Sequence, residues 1–270
     1  MDASERIRVE SKSQALAVLT DTDDHGWQAR LDEGVLHLCL SRPPVNAINT
    51  PTWRRLHDCI GRIYDDPAVR ALVITSANPK VFSAGQDFKD VREDDGGAFG
   101  GPNDRRRYVR DALAAIYDAP VPTVVGVRGG AFGSGAVLAA LADLVVGGPG
   151  TRLTLPEIDR GIIGGSRFLA RLVPEPLMRK MILLGGPVTG EDLHRVGSLA
   201  EFVPDDQITD VALELGAKLA AKHPVVMRLM KQANIEVENL GVMEGYSIEQ
   251  TYSVTVPNSV RDELVPDSSK

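Results

Sequence analysis

Three stretches of the chain carry residues whose types and order could do chemistry. The first is Val81-Phe-Ser-Ala-Gly-Gln-Asp-Phe-Lys-Asp90. The second starts at Gly126 and passes through Gly129, Gly130, Gly133 and Gly135 into a run of small residues ending at Asp143. Backbone N–H groups at such a helix start lack an intrahelical acceptor, and with the helix dipole they converge on negative charge. A developing oxyanion suits them better than a phosphate, because the stretch has neither the G-K-[ST] ending nor the G-x-G-x-x-G context of nucleotide loops. The third stretch, Leu153-Thr-Leu-Pro-Glu-Ile-Asp-Arg-Gly-Ile-Ile163, sets Glu157 directly after a proline suited to the first helical position. Singly, each has a plainer explanation: glycines that let a helix approach a strand, a glutamate complementing a helix N-terminus, Gln86 in a solvent-facing turn, and Asp87 as a helix N-cap. Together they supply a positioned base and aimed donors, which is what removing a proton beside a carbonyl demands.

These residues need elements to hold them. Trp27–Leu31 and Val35–Leu40 around Asp32-Glu-Gly34 predict a hairpin. Thr50-Pro51 is a helix start, and Trp53, Leu56, Ile60, Ile63 and Tyr64 follow as one apolar stripe. Apolar runs at Ala71–Thr75, Thr123–Val127 and Asp143–Val146, separated by helical patterns, predict parallel sheet with crossover helices. From Pro174 the pattern is mainly helical: Pro174–Leu184, Thr189–Val196, Gln207–Ala221 and Val225–Tyr252. The expected organisation is an α/β chain with a flexible arm over 1–24, a β/α core over 25–200 and a helical C-terminal region over 201–270. Gly96-Gly-Ala-Phe-Gly-Gly-Pro102 is expected to form a mobile loop.

Composition limits the functions open to this frame. With 270 residues, 43% of them apolar, the chain can bury a large core. A net charge of -7 argues against a nucleic-acid binder, and a small-molecule substrate is expected. Cys39 and Cys59 are too few for a disulfide framework and lack metal-ligand spacing, which fits a reducing cytoplasm. No signal-like segment opens the sequence and no stretch has the roughly 18 apolar residues of a membrane span, so a cytoplasmic protein with no membrane partner is expected. His25, His37, His57, His194 and His223 show no ligand spacing, and neither a metal nor any chemistry is assigned to them. Arg105-Arg-Arg107, Arg110 and Lys89 read as a solvated face, while Tyr246 and Tyr252 read as packing residues.

The three stretches, in this order and behind Arg42-Pro-Pro-Val-Asn-Ala-Ile-Asn49, resemble the enoyl-CoA hydratase/isomerase family, the crotonases, over about residues 27 to 260. The resemblance implies a ββα spiral core, a homotrimer or homohexamer, and an acyl-CoA substrate whose thioester oxygen sits between two backbone amides. By position those amides belong to Gln86 and to Ser134, within Gly133-Ser-Gly135. Ser83, Ala84 and Asp87 fall where the family's loop approaches the adenine end of coenzyme A. No cofactor is implied beyond the coenzyme A carried by the substrate.

The chain departs from the family pattern at four places. Gln86 and Ser134 replace the usual small residues. Hydratases of the family carry two glutamates; here the first position is Val137 and only the second remains, as Glu157. A lone carboxylate beside an apolar partner suits double-bond isomerisation of an enoyl-CoA, in which one group moves a proton from C2 to C4 without water, so isomerisation with Glu157 as acid/base is the leading expectation. Alternatives are hydration, another crotonase reaction such as decarboxylation or hydrolysis, or a silent acyl-CoA-binding subunit. After Ile163 the chain reads Gly164-Gly-Ser-Arg-Phe168, about three residues shorter than the family's loop, which points to a cyclic or branched acyl group as another option.

Overall fold

A computed structural model describes residues 13–20, 26–93, 105–161 and 163–265. The predicted hairpin is present as β1 (Trp27–Asp32) and β2 (Val35–Leu40), antiparallel and in register from Trp27↔Leu40 to Asp32↔Val35. Glu33 and Gly34 close its turn with positive φ angles of 47 and 89°. Parallel to β2 run β4 (Ala71–Ser76), β7 (Thr123–Gly126), β9 (Leu144–Gly147) and β12 (Glu201–Phe202), completing a six-stranded sheet in the order β1-β2-β4-β7-β9-β12. Every residue of β4 is buried, as expected of a central parallel strand covered on both faces.

Strand alternation sends side chains into two cores. Leu36, Leu38, Leu40, Leu72 and Ile74 pack with Trp53, Leu56, Ile60 and Ile63 of helix α2 (Thr50–Ile63). Val35, Ala71, Val73, Val124 and Val146 face the other way, against Ile208, Ala212 and Ala220 of α9 (Ile208–Ala220). Gly216 lets α9 lie close, since a Cβ there would stand 2.5 Å from Val73 Cγ2. Thus β12 and α9 belong to the core layers, and the core extends past the boundary expected at residue 200.

Four short strands form a second sheet, ordered β11-β10-β8-β5: β5 (Val81–Ser83), β8 (Gly130–Phe132), β10 (Arg152–Thr154) and β11 (Val188–Thr189). The first three are parallel, and β11 runs against β10. A third pair joins β3 (Ala47–Ile48) to β6 (Gly85–Gln86) in parallel. The remaining helices are α1 (Gln14–Thr20), α3 (Phe88–Glu93), α4 (Arg105–Tyr117), α5 (Ser134–Ala140), α6 (Ser166–Leu169), α7 (Glu175–Leu184), α8 (Gly190–Arg195), α10 (Pro224–Val237), α11 (Val242–Thr255) and α12 (Asn258–Leu264). The single long segment expected over Val225–Tyr252 is therefore two helices, parted at Leu240-Gly241.

Part of the expected N-terminal arm is docked. Ala15 and Leu19, four apart on one face of α1, are buried in the main core, and Asp66 accepts from Ser13 Oγ (2.7 Å) and the Ala15 amide (3.1 Å). The rest of that arm and the Gly96–Pro102 loop lie outside the described residues. Both cysteines are free; burial, with Asp66 and Asp58 adding to it, pushes the Cys59 thiol up to about 12. Among the described residues no helix is long and apolar enough to cross a membrane.

Candidate active site

Because β5, β8 and β10 are parallel and adjacent, Ser83, Phe132 and Thr154 end their strands at one edge of the small sheet. The three stretches singled out in the sequence leave from that edge. The Gly133 amide donates to Thr154 O at 2.9 Å, stitching the second stretch to the third just before each turns away. Ligand sites in α/β folds gather at the carboxyl ends of strands for this reason.

The first stretch is held from several sides. Directly after β6, the Asp87 amide bonds Ile48 O at 3.0 Å, so strand alternation turns the preceding amide, that of Gln86, away from β3. On that other side stands α5, and a Cβ on Gly85 would lie 2.5 Å from Phe132 O and 3.3 Å from Ser134 N. Only glycine, here at φ +81°, allows the β6 backbone to lie so close to the start of α5. Gly135 plays the same part from the helix side, where a Cβ would meet Ser83 Cβ at 2.7 Å and Ser83 O at 3.0 Å.

Ser134 opens α5 with Gly133 as N-cap at φ 54°, ψ -125°, and the first intrahelical bond is Val137 N to Gly133 O at 3.1 Å. The Ser134 amide, at the N-terminal end of the helix, therefore has no carbonyl one turn back within it. Its hydroxyl oxygen is buried and has no hydrogen-bond partner among the described residues. Gln86 does not face solvent: Trp53 Nε1 donates to its Oε1 at 3.0 Å, and its Nε2 lies 3.4 Å from Asp90 Oδ2. Asp90 in turn accepts from the Thr50 amide and hydroxyl at 2.9 and 2.7 Å, tying the loop to the start of α2.

Asp87 caps α3, accepting from the Lys89 amide at 3.0 Å, and pairs with Arg42 Nη1 at 2.7 Å. Burial works to raise its pKa, yet the Lys89 amide and the Arg42 guanidinium outweigh it and hold the carboxyl below the usual range. Ser83 is fully buried, its hydroxyl donating to Asn46 O at 2.7 Å and accepting from the Gly85 amide at 3.1 Å. Its part in the site is thus to shape the loop that carries Ala84 and Gln86. Glu157 lies in a short 3₁₀ helix, Pro156–Arg160, directly beyond β10; its side chain is outside the described residues. Val137 is buried, and its Cγ2 and Leu155 Cδ1 stand 3.1 and 3.3 Å from where a Gly165 Cβ would be. Val137 is thus walled by aliphatic groups and by the loop after Ile163.

Sequence reasoning missed three supports. Asn46, at φ 52°, donates from Nδ2 to Leu40 O, Ser76 Oγ and Phe82 O, while its Oδ1 accepts from the Arg42 amide; it pins the turn beside the site. Asparagine tolerates left-handed backbone, which was the available signal. Trp53 was read only as part of an apolar stripe, although a buried indole N–H needs an acceptor. Arg42 gave no signal of its pairing with Asp87, 45 residues away. Outside the site, His37 meets Thr75 Oγ1, His57 pairs with Asp58, His194 stacks on Phe202 and His223 reaches Glu263; His25 lies outside the described residues. Arg107 and Arg110 pair with Asp111, and Tyr252 donates to Glu236.

Known proteins resemble this chain in sequence and fold. The family model described as enoyl-CoA hydratase/isomerase matches residues 30–261. The chain is 36% identical, over 238 residues, to the (7aS)-7a-methyl-1,5-dioxo-2,3,5,6,7,7a-hexahydro-1H-indene-carboxyl-CoA hydrolase of Rhodococcus jostii (strain RHA1), covering 86% of this chain and 91% of that protein. It is 30% identical to the carnitinyl-CoA dehydratase of Salmonella paratyphi B, covering 78% of this chain and 81% of that one. Among solved structures, an enoyl-CoA hydratase/isomerase family protein from Silicibacter pomeroyi superposes with a TM-score of 0.78 at 25% identity, covering 84% of this chain and 98% of that one. A Mycobacterium smegmatis enoyl-CoA hydratase superposes with a TM-score of 0.80 at 23% identity, covering 88% and 94%. By fold, by matched residues and by its curated relatives, the chain belongs to the enoyl-CoA hydratase/isomerase family, the crotonase superfamily of CoA-thioester enzymes.

Proposed function

We propose that the chain hydrolyses a cyclic oxo-acyl-CoA, with the thioester oxygen held between the Gln86 and Ser134 amides and Glu157 as the single acid/base. The observation that carries the reading is the 36% identity to a hydrolase whose named substrate is a bicyclic dioxo-acyl-CoA, a likeness running over nearly all of both chains. One carboxylate suffices for such a reaction. Glu157 takes a proton from water, hydroxide adds to the ring ketone, and the bond from that carbon to the thioester's α-carbon breaks. The electron pair moves to the α-carbon and onto the thioester oxygen, where the two amides meet the developing charge. Glu157 then returns its proton to the α-carbon, and the former ketone becomes a carboxylic acid, still joined to the CoA chain, that gives its proton to solvent. The aliphatic Val137 fits this scheme, because no second acid is called upon.

Val137 equally favours the expected isomerisation, in which Glu157 carries a proton from C2 to C4 of an enoyl-CoA, and this is the second reading. Incubation with 2-oxocyclohexanecarboxyl-CoA in heavy-oxygen water separates the two. Hydrolysis predicts a ring-opened CoA product one water heavier, with label in the new carboxylate. A protein that leaves this compound untouched but converts a 3-enoyl-CoA to the conjugated 2-enoyl form contradicts the hydrolase reading and supports isomerisation.

A further inference from the structure

Helix α10 supplies none of the residues of the three stretches, yet Arg228, Lys231 and its C-cap Glu238 bond to the elements behind them. Arg228 Nη2 fans across Ile63 O, Asp66 O and Val69 O at 3.0, 3.2 and 3.3 Å, capping the C-terminal end of α2. The front end of that helix carries Trp53, the hydrogen-bond donor to Gln86, and Thr50, the anchor of Asp90.

Two further ties reach the C-terminal end of α5, whose first residue is Ser134, and the turn that follows it to Asp143. Lys231, only 4% exposed, donates from Nζ to Asp143 Oδ1 at 2.7 Å, and the other oxygen of that carboxylate accepts from the Thr123 amide at 2.7 Å. Glu238, the C-cap of α10, accepts from Arg171 Nε at 2.9 Å and from Tyr117 Oη at 3.0 Å. Arg171 passes the connection on, its Nη1 donating to Ala140 O, the last residue of α5, at 2.9 Å. A cation there satisfies an orphan carbonyl and complements the negative end of the helix dipole. Both helices whose front ends support the paired amides are therefore held at their back ends by one helix.

Resting on the oxyanion reading above, we infer that α10 is a positioning clamp. Through Arg228, Lys231 and the Glu238–Arg171 pair it fixes the separation of the Gln86 and Ser134 amides, so residues remote from the substrate set how strongly the thioester carbonyl is polarised. Burying a lysine needs a reason, since an apolar residue would fill the place without the desolvation cost of a charge, and rigid placement of Asp143 provides one.

The test reads the carbonyl directly. Infrared difference spectra of butyryl-CoA labelled with carbon-13 at the thioester carbonyl report its stretch free and bound, and hydrogen bonds from the two amides lower it. In Lys231→Met and in Glu238→Ala part of that lowering is expected to disappear and kcat to fall about 10- to 100-fold, while butyryl-CoA affinity stays within a few-fold. Glu238 is partly exposed, so Glu238→Ala decides the matter should Lys231→Met not fold. Folded variants that keep the full wild-type lowering overturn the inference, because a purely structural tie changes the amount of folded protein and not this frequency. Wild-type protein that binds butyryl-CoA with no lowering overturns the oxyanion reading itself, and the clamp with it.

Discussion

Gln86 and Ser134 carry side chains larger than glycine, and the loop and helix that hold them still lie close because the tight contacts fall on their neighbours, Gly85 and Gly135. Glycine-rich sequence made that crossing legible; the buried bond from Trp53 to the Gln86 side chain was not, since periodicity counts a tryptophan only as apolar. Gly135→Ala tests the crossing. Alanine within a helix is worth up to about 1 kcal/mol over glycine, but a methyl 2.7 Å from Ser83 Cβ brings an overpacking cost of about 1–3 kcal/mol. Overpacking wins, so the variant is expected to unfold at lower urea with an unchanged slope and to lose activity by parting the two amides. An unchanged or higher midpoint would show that the Ser83 loop moves aside freely.

Among the elements, those with a repeating pattern were readable. The hairpin, α2, the buried parallel strands and α9 each repeat a period over six or more residues or a fully apolar run, and the structure holds them close to where the pattern put them. Two-residue strands such as β3, β6, β11 and β12 have no period to read and exist through long-range pairing alone. Helix α1 was hidden in a polar stretch because only Ala15 and Leu19 are buried deeply in the core. The candidate site was more legible than the elements holding it, because aimed amides leave a local mark in glycine and proline spacing. The ties from α10 join residues 67 to 165 positions apart and leave none.

At the scale of the whole molecule, the C-terminal helices leave apolar groups uncovered, with Val242 87%, Met243 72% and Val254 76% exposed, and Leu183 and Leu184 of α7 are exposed as well. So much apolar surface at one end of a chain calls for a partner, and a closed ring of identical copies covers it without leaving an open edge. Light scattering is expected to give a mass of three or six chains, and a monomer at micromolar concentration would contradict this. The central claim concerns the chemistry, and it is tested most directly at Glu157. Glu157→Gln keeps the size and hydrogen-bonding reach of the side chain but cannot take a proton, so turnover of the thioester is expected to fall about 100- to 10,000-fold with acyl-CoA affinity within a few-fold of wild type. Near-full turnover in that variant would contradict the account, for the proton would then be moved by another group.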